Sequence, residues 1–364
     1  MPGVVVRPDL HRQFGSRSAE FRLATDPANA YEIALQPDPE LYRRASRTAL
    51  EPGESLTDLV RRSPESCDIL VVCPGTFLTS PTPGVIGPHR KLSVVPCAST
   101  PVTAEQLSYF LGVCESTDHD AVAARSEAIL AALESAGSVE IGDARRGTGA
   151  SFDPFRDYDW NVQAGVLSGG EQQIAPNGEL SAVPLDIMSF DPARRLELGG
   201  QLALTGAAIV HRGGDEPDEH EQARLHSQLA TIGRGDAVVL DLEHGLVVGV
   251  RPDGPEAKPA AEALEALFAA DEHYRVLWEF GLGLNQRITP VDGNCGLNEM
   301  SGGRGALLHV GLGLTPSTRF ALTFQCADST VRAGAATLAQ PLRGRLNRRR
   351  GPACGCDEGA RGAC

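Results

Sequence analysis

The chain has 364 residues, of which 41% are hydrophobic and 22% are charged, and its formal net charge is −14. A length above roughly 250 residues predicts two domains rather than one. The acidic charge argues against nucleic acid or an anionic membrane as a partner, because both need a basic protein surface, and it favours a small-molecule or short peptide substrate.

The first residues contain no apolar stretch long enough for a secretory signal, and no later run reaches the roughly 18 apolar residues that span a bilayer. We therefore expect a cytoplasmic protein. Nine cysteines in such a chain are expected to be reduced thiols. Because no paired CxxC spacing occurs among them, Cys67, Cys73, Cys97 and Cys114 are predicted to be buried small hydrophobes rather than a metal cluster.

A small α/β unit is predicted at the N-terminus. Val4–Val6 is a short strand candidate, and a helix is a possible interpretation of Pro39 to Leu50. The continuous apolar runs Asp68–Cys73 and Lys91–Pro96 indicate two buried strands.

Two helices are predicted next in the chain. Thr103, followed by Glu105 and then by an apolar stripe of Leu107, Phe110 and Leu111, is typical of a helix start. Asp118–Gly137 carries apolar residues on one face and gives the clearest helical pattern in the chain. The strand Ser138–Ile141 follows at once and marks the entry to a second domain.

The second half of the chain is predicted to consist of short strands with glycine-containing turns, plus one helix at Glu256–Ala270. The turn Glu243-His244-Gly245 predicts a hairpin between two of these strands. The predicted strands are Val162–Leu167, Leu202–Val210, Ala237–Leu242, Leu246–Val250, Val276–Glu279, Ala306–Gly311 and Phe320–Gln325.

The predicted fold class is therefore α/β, in an α+β arrangement. We place a small N-terminal α/β domain at residues 1–145 and a β-rich domain at 146–342. The Arg-, Gly- and Cys-rich tail, 343–364, is predicted to be disordered, with metal capture or redox chemistry by its cysteines as the alternative. The acidic segment 212–226, which contains His220 and His226, is predicted to be a solvated helical face, because an i, i+6 spacing does not bring two imidazoles together.

Four stretches occur in the order and spacing of the thermophilic-type (leucyl aminopeptidase T-like) metalloaminopeptidase family, which the chain resembles over about residues 125–331. They are Arg125–Ile141 with Gly147–Phe152, Ser168–Pro176 around Glu171, Trp278–Asn285 around Glu279, and Gly305–Gly313 around His309. The resemblance implies an aminopeptidase-like catalytic domain, a homodimer, and metal-binding roles for Glu171, Glu279 and His309, with Glu299 in the substrate pocket.

The residues themselves support a metal site. Glu279 ends an apolar strand and His309 lies within one, where a polar group is costly to bury unless it is paired or bound to an ion. Two carboxylates and one imidazole suit one divalent cation, Zn²⁺, Mn²⁺, Co²⁺ or Fe²⁺, with Glu171 and Glu279 as the catalytic acids. The alternatives left open are a hydrogen-bonded core histidine, a turn-capping or arginine-paired Glu279 and a solvated Glu171.

One expected ligand pair is missing. The family carries His-x-Asp on its last strand, and counting back from Asp328-Ser329-Thr330-Val331 places Phe320-Ala321-Leu322 there. A two-metal hydrolytic site needs more donors than remain, so ordinary aminopeptidase activity is not expected. Phe320 and Leu322 are predicted to line an apolar substrate pocket, and the alternative is that this strand has joined the core.

These observations predict a diverged metallohydrolase-like enzyme, with one divalent metal and an amino-acid-derived or short peptide substrate, in specialised metabolism. Two other classes stay open. One is a non-haem iron ring-cleaving dioxygenase-like enzyme, although that family also uses a His-x-Asp pair. The other is a metal-free descendant that binds a peptide or partner without catalysis.

Overall fold

In the computed structural model, the described residues are 3–26, 32–76, 78–95, 103–156, 158–184, 195–212, 219–291, 296–313 and 317–341. Across these ranges, helices and strands alternate in a mixed α/β fold, which confirms the predicted class. No helix within these ranges has both the length and the apolar character needed to cross a bilayer.

Within the described ranges, the strands fall into four sheets. In chain order they begin with β1 (Val4–Val6), β2 (Glu20–Thr25), β3 (Ile33–Leu35), β4 (Arg44–Ala49), β5 (Cys67–Val72), β6 (Arg90–Val94), β7 (Val139–Asp143), β8 (Thr148–Phe152), β9 (Tyr158–Gln163) and β10 (Gln172–Ile174). They continue with β11 (Glu179–Pro184), β12 (Gly199–Leu204), β13 (Ala208–Arg212), β14 (Ala237–Glu243), β15 (Leu246–Asp253), β16 (Leu277–Gly283), β17 (Leu307–Leu312), β18 (Phe320–Gln325), β19 (Thr330–Ala333) and β20 (Ala336–Ala339).

The α-helices pack on the faces of these sheets. They are α1 (Leu56–Arg61), α2 (Pro83–Ile86), α3 (Ala104–Ser116), α4 (His119–Glu134), α5 (Glu219–Leu229) and α6 (Lys258–Ala270). The predicted helix starts at Thr103 and Asp118 are confirmed. The side chain of each residue accepts a hydrogen bond from a backbone N–H in the first turn of its helix.

A five-stranded parallel sheet, in the order β10-β6-β5-β2-β4, forms the N-terminal unit. The central strand β5 is buried on both faces, as its continuous apolar sequence predicts. Leu70 and Val72 pack in a cluster with Phe110 of α3, whereas Ile69 packs on the other face with Leu59 of α1. A separate pair of parallel strands, β1 and β3, lies beside this sheet.

The helix considered for Pro39 to Leu50 is absent, and this prediction is wrong. Residues Arg44–Ala49 form β4, which pairs with β2 over six consecutive residues at the sheet edge. The backbone of β2 needs a partner on that side, and this tertiary pairing outweighs the local helical preference.

The C-terminal unit is a sandwich of two antiparallel sheets. One has six strands in the order β13-β18-β17-β16-β11-β9, and the other has seven in the order β15-β14-β12-β8-β7-β19-β20. The inner faces share one apolar core, with Phe280, Val310 and Phe324 from the six-stranded sheet and Ile141 and Leu240 from the other. Side chains on the outer face of the six-stranded sheet therefore need not be apolar.

Two turns explain how the sandwich strands are arranged. The predicted hairpin is confirmed as β14–β15, and its two loop residues, His244 (φ 48°) and Gly245 (φ 76°), both have the positive φ that a type I′ turn requires. The predicted single strand Leu202–Val210 is instead two strands in different sheets. They separate at Thr205-Gly206, where a Cβ on Gly206 would lie 2.6 Å from the Cβ of Gln325.

The two units exchange strands across the boundary predicted near residue 145. Strand β7 precedes that point but belongs to the seven-stranded sheet, and β10 follows it but pairs with β6 in the parallel sheet. Cys67, Cys73 and Cys114 are buried thiols, as predicted. Cys97 and the tail 343–364 lie outside the described residues.

Candidate metal site on the six-stranded sheet

The six-stranded sheet has two faces of opposite chemical character. Successive side chains on a strand point to opposite faces, so Phe280 and Leu282 enter the sandwich core while Glu279, Gly281 and Gly283 lie on the outer face. The same alternation places His309 on the outer face of β17. The outer face thus collects the polar residues of strands that are otherwise apolar.

Three ionisable side chains converge on this face. Glu179 of β11, Glu279 of β16 and His309 of β17 each offer a ligand atom, and these atoms lie within 4.8 Å of one another. His309 Nε2 and Glu179 Oε1 are 3.2 Å apart. Glu179 and His309 are buried and Glu279 is partly exposed, so the group can be reached from the side of Glu279.

Glycines on the neighbouring strands make room for these side chains. Gly281 lies opposite His309, and a Cβ there would be 1.9 Å from His309 Nε2. Gly311 lies opposite Glu279, and its Cβ would be 2.9 Å from that of Glu279. The glycine-rich strand sequences therefore allow long polar side chains to lie across the sheet.

The charges in this group influence one another strongly. Burial alone lowers the pKa of His309, but the hydrogen bond to Glu179 and the charges of the surrounding glutamates outweigh it and raise the pKa to about 9. Burial and the charge of Glu179 raise the pKa of Glu279, although the charge of His309 opposes this. Ser181 is hydrogen-bonded to Glu279 on the same face.

The donor set fits one divalent cation. Two carboxylates and an imidazole nitrogen are ligands that Zn²⁺, Mn²⁺, Co²⁺ and Fe²⁺ accept, and three protein ligands leave positions for water or substrate. His309 Nδ1 is buried and has no hydrogen-bond partner among the described residues. Buried nitrogens are usually paired, so this ring can accept a further polar partner.

A second polar pair lies on the same face. His211 Nε2 of β13 is 3.0 Å from Glu299 Oε1, and Thr323 of β18 is also hydrogen-bonded to Glu299. Burial tends to raise the pKa of Glu299, but the charge of His211 and the hydrogen bond with it outweigh burial and lower the pKa. Glu299 was predicted as a pocket residue. Its charge contributes to the raised pKa values of both Glu279 and His309, so it lies near the candidate site.

Glu171 lies outside this group, so its predicted convergence with Glu279 and His309 is wrong. Its side chain is exposed, and its Oε2 accepts a hydrogen bond from Ser168 N at 2.7 Å, which caps the local turn. The preceding Gly169 packs so closely on Pro88 that a Cβ there would be 2.1 Å from the Pro88 carbonyl oxygen. This contact ties the turn to the parallel-sheet unit, and Glu179, eight residues later, takes the expected place.

The predicted pocket role of Phe320 and Leu322 is also wrong. Leu322 lies opposite Leu312 and Val210, and both side chains are buried in the sandwich core. The alternative interpretation, that this strand has joined the core, is confirmed. The residues on the outer face of β18 are Ala321, Thr323 and Gln325. Counting back from the turn Asp328–Val331 had placed Phe320 and Leu322 there, so the count was wrong by one residue.

Sequence reasoning missed Glu179, Ser181 and His211. Each had a detectable signal, because each is a polar residue at an alternate position in an otherwise apolar strand. His211 was hidden because the strand predicted at Leu202–Val210 ended one residue before it.

Comparison with known proteins gives one family and two solved structures. The family model described as crocagin biosynthetic protein CgnE/B matches residues 58–332, about three quarters of the chain. A search of curated proteins gives no match. The structure of 2,5-dihydroxypyridine dioxygenase from Pseudomonas putida KT2440 is similar at a TM-score of 0.58 and 14% identity, covering 92% of this chain and 93% of that chain. Wild-type AmpT from Thermus thermophilus is similar at a TM-score of 0.45 and 13% identity, covering 91% and 95%.

Proposed function

Because the chain belongs to the crocagin biosynthetic protein CgnE/B family, we propose that it is a biosynthetic enzyme that acts on an amino-acid-derived or short peptide substrate with the help of one divalent cation. Glu179, Glu279 and His309 would hold the cation. The observation that carries this proposal is the convergence of their three ligand atoms within 4.8 Å.

The residues divide the work by their burial. Glu179 and His309 are buried and would fix the position of the cation. Glu279 is partly exposed and lies on the side from which a substrate could approach. A divalent cation, when bound, supplies Lewis acidity and lowers the pKa of coordinated water. Burial raises the pKa of Glu279, so the cation would displace a proton from this carboxyl group when it binds near neutral pH.

The outer face of β18 supports one cation rather than two. Ala321 offers no ligand atom, and Gln325 is already engaged, because its Nε2 donates to Asn298 O and its Oε1 accepts from Ala207 N. A two-metal hydrolytic site needs bridging carboxylates and further nitrogen or oxygen donors. The proposal therefore excludes an ordinary two-metal aminopeptidase activity.

Metal titration tests this proposal. Calorimetric titration of the full chain with Zn²⁺, Mn²⁺, Co²⁺ and Fe²⁺ should find one bound equivalent of at least one of these cations. Glu279→Gln should weaken binding about a hundredfold or more, since a ligand is lost. Glu171→Gln is the matched control and should bind like wild type. A wild-type chain that binds none of the four cations would rule the proposal out.

A metal-free peptide-binding descendant is the second candidate, and the contact between His309 and Glu179 favours it. An imidazolium beside a carboxylate can satisfy both buried charges without a cation. In that case the chain would bind none of the four cations but would still bind a peptide. A third possibility is a dioxygenase, but a shared fold alone does not imply that enzyme's chemistry. Measuring oxygen consumption by the iron-loaded protein tests this possibility.

A further inference from the structure

Two buried histidines lie near the hydrogen-bonded network that connects the two units. His11 lies between two short 3-10 helices, Pro8–Leu10 and Arg12–Phe14, on the parallel-sheet side. His119 is the first residue of α4, a helix whose apolar face packs into the sandwich core. Their exposed fractions are only 2% and 4%. Neither belongs to the candidate metal site.

In each ring, the structure describes one nitrogen without a hydrogen-bond partner. His11 Nε2 and His119 Nε2 are buried, and neither has a hydrogen-bond partner in the part of the chain that the structure describes. Buried polar atoms are usually paired, because an unpaired one loses its hydrogen bonds to water without replacing them. These two atoms are histidine nitrogens, so their hydrogen bonding depends on protonation.

A network of amides fixes the protonation state of His119. Asn177 Nδ2 donates to Gly165 O and to Gln173 Oε1, so Asn177 Oδ1 must be the atom that accepts from His119 Nδ1 at 2.8 Å. The hydrogen of a neutral His119 is thus on Nδ1, and Nε2 is a bare lone pair. Protonation would place an N–H on Nε2, in a buried position without an acceptor.

The same network connects the two units. Gln13, two residues after His11, donates to Gln173 Oε1 at 3.2 Å and accepts from Ser93 Oγ at 2.9 Å. On the other side, Asn285 Nδ2 donates to Asn177 O at 2.8 Å. Asn177 lies two residues before Glu179, the first residue of β11.

Among the described residues, no carboxylate is found to act on the charge of His11. The charged groups that act on His119 are Asp118, Asp120 and Arg12, whereas the charge acting on His11 is that of His119 itself. Of the other packed elements, α3 carries Glu115, which pairs with Arg7, and β6 carries Lys91, which pairs with Asp68. A second positive charge in this pair would therefore be repelled.

We propose that His11 and His119 form a proton-operated latch between the parallel-sheet unit and the sandwich, closed while both imidazoles are neutral and opened when one takes up a proton. Opening lets water reach the ring nitrogens, at the expense of the amide network around Asn177. The device is distinct from the proposed metal chemistry and stands or falls independently of it.

Burial and the charge of His119 together lower the pKa of His11 to about 4, which agrees with this geometry. A folded-state pKa below the unfolded value of about 6.5 means that the unfolded chain binds the extra proton. The stabilising contribution is therefore present above pH ~6.5 and is lost as the pH falls towards 4.

Urea unfolding of the full chain at two pH values tests the latch. Between about pH 7.5 and pH 5, the folded-to-unfolded ratio of wild type should fall about thirtyfold through His11 alone, and His11→Gln should abolish that part of the fall. The control is His220→Gln, an exposed histidine on α5, which should behave like wild type. An unchanged pH dependence in His11→Gln would overturn the proposal.

A second measurement covers the case in which His11→Gln does not fold. The NMR signals of the wild-type histidine rings are followed from pH 8 to pH 5, and backbone assignment identifies the signal of His11. The His11 ring should stay neutral throughout this range. Hydrogen exchange near residues 8–14 and 117–123 should rise before that of the sandwich core as the pH falls. A His11 ring that titrates near pH 6.5 in the folded protein would overturn the latch.

Discussion

Gly281 and His309 lie directly opposite each other on β16 and β17, and the missing side chain of the glycine is what gives the imidazole its place. A Cβ at Gly281 would lie 1.9 Å from His309 Nε2, closer than any real contact. His309 reaches Glu179 across this gap. The candidate site therefore depends on a backbone position as much as on its three ionisable side chains.

We predict that Gly281→Ala displaces the His309 ring and breaks its hydrogen bond with Glu179. Two buried polar groups would then lack partners, so the free energy of unfolding should fall by about 2–4 kcal/mol. Cation binding should be lost as well. Urea unfolding and calorimetric titration measure both effects. Gly137→Ala, where an added Cβ meets nothing within 4 Å, is the control and should change neither.

Bound cation should also stabilise the fold. A ligand that binds only the folded state at about one hundred times its Kd adds about 2.7 kcal/mol to the free energy of unfolding. The melting temperature of wild type and of Glu171→Gln should therefore rise when the cation identified by titration is added and fall again with a chelator. Glu279→Gln, which binds the cation more weakly, should shift far less. Equal shifts in all three proteins would place the cation elsewhere.

The sandwich should depend strongly on one buried arginine. Arg146 is 4% exposed and pairs with Asp143 at 2.9 Å and with Asp328 at 2.8 Å. Removing its charge leaves these two buried carboxylates without their main partner, so Arg146→Gln should lower the free energy of unfolding by about 3–5 kcal/mol. Its neighbour Arg145, 55% exposed and 3.7 Å from Asp328, is the control. Arg145→Gln should cost less than about 1 kcal/mol, as measured by urea unfolding.

The sequence predicted where strands lie better than it predicted which face of the sheet each side chain occupies. Residues Phe320–Gln325 are β18 as predicted, because an apolar run between turn residues is a local signal. Which side chains face the site depends on a register of one residue, and counting back from a turn motif cannot fix it. The count put Phe320 and Leu322 on the site face, but strand pairing puts them in the core.

Whether Glu171 or Glu179 is the second carboxylate of the candidate site depends on contacts between residues that are distant in sequence. Glu171 and Glu179 each follow a glycine and lie eight residues apart, so local pattern does not separate them. The contact of Gly169 with Pro88 assigns Glu171 to the parallel-sheet unit, whereas pairing of β11 with β16 brings Glu179 beside His309. Glu279 and His309 could be predicted because each lies within a strong apolar strand pattern.

The corrected register leads to the last prediction, which concerns rebuilding a second metal position. On β18, Ala321 and Thr323 share the outer face with His309 and Glu279, and Ala321 lies opposite His211. A His-x-Asp pair placed at these two positions would face the candidate site, whereas the same pair at Phe320 and Leu322 would face the core.

Ala321→His/Thr323→Asp should therefore increase the bound cation from one to two equivalents per chain, because it adds an imidazole and a carboxylate beside Glu299 and Glu279. Phe320→His/Leu322→Asp is the matched comparison. It puts the same two groups into the apolar core, so it should add no metal and should unfold the sandwich, since each unpaired buried polar group costs several kcal/mol. Metal analysis and circular dichroism of both double variants decide the matter. A folded Phe320→His/Leu322→Asp protein with two cations would show that the register of β18 in solution differs from the one described here.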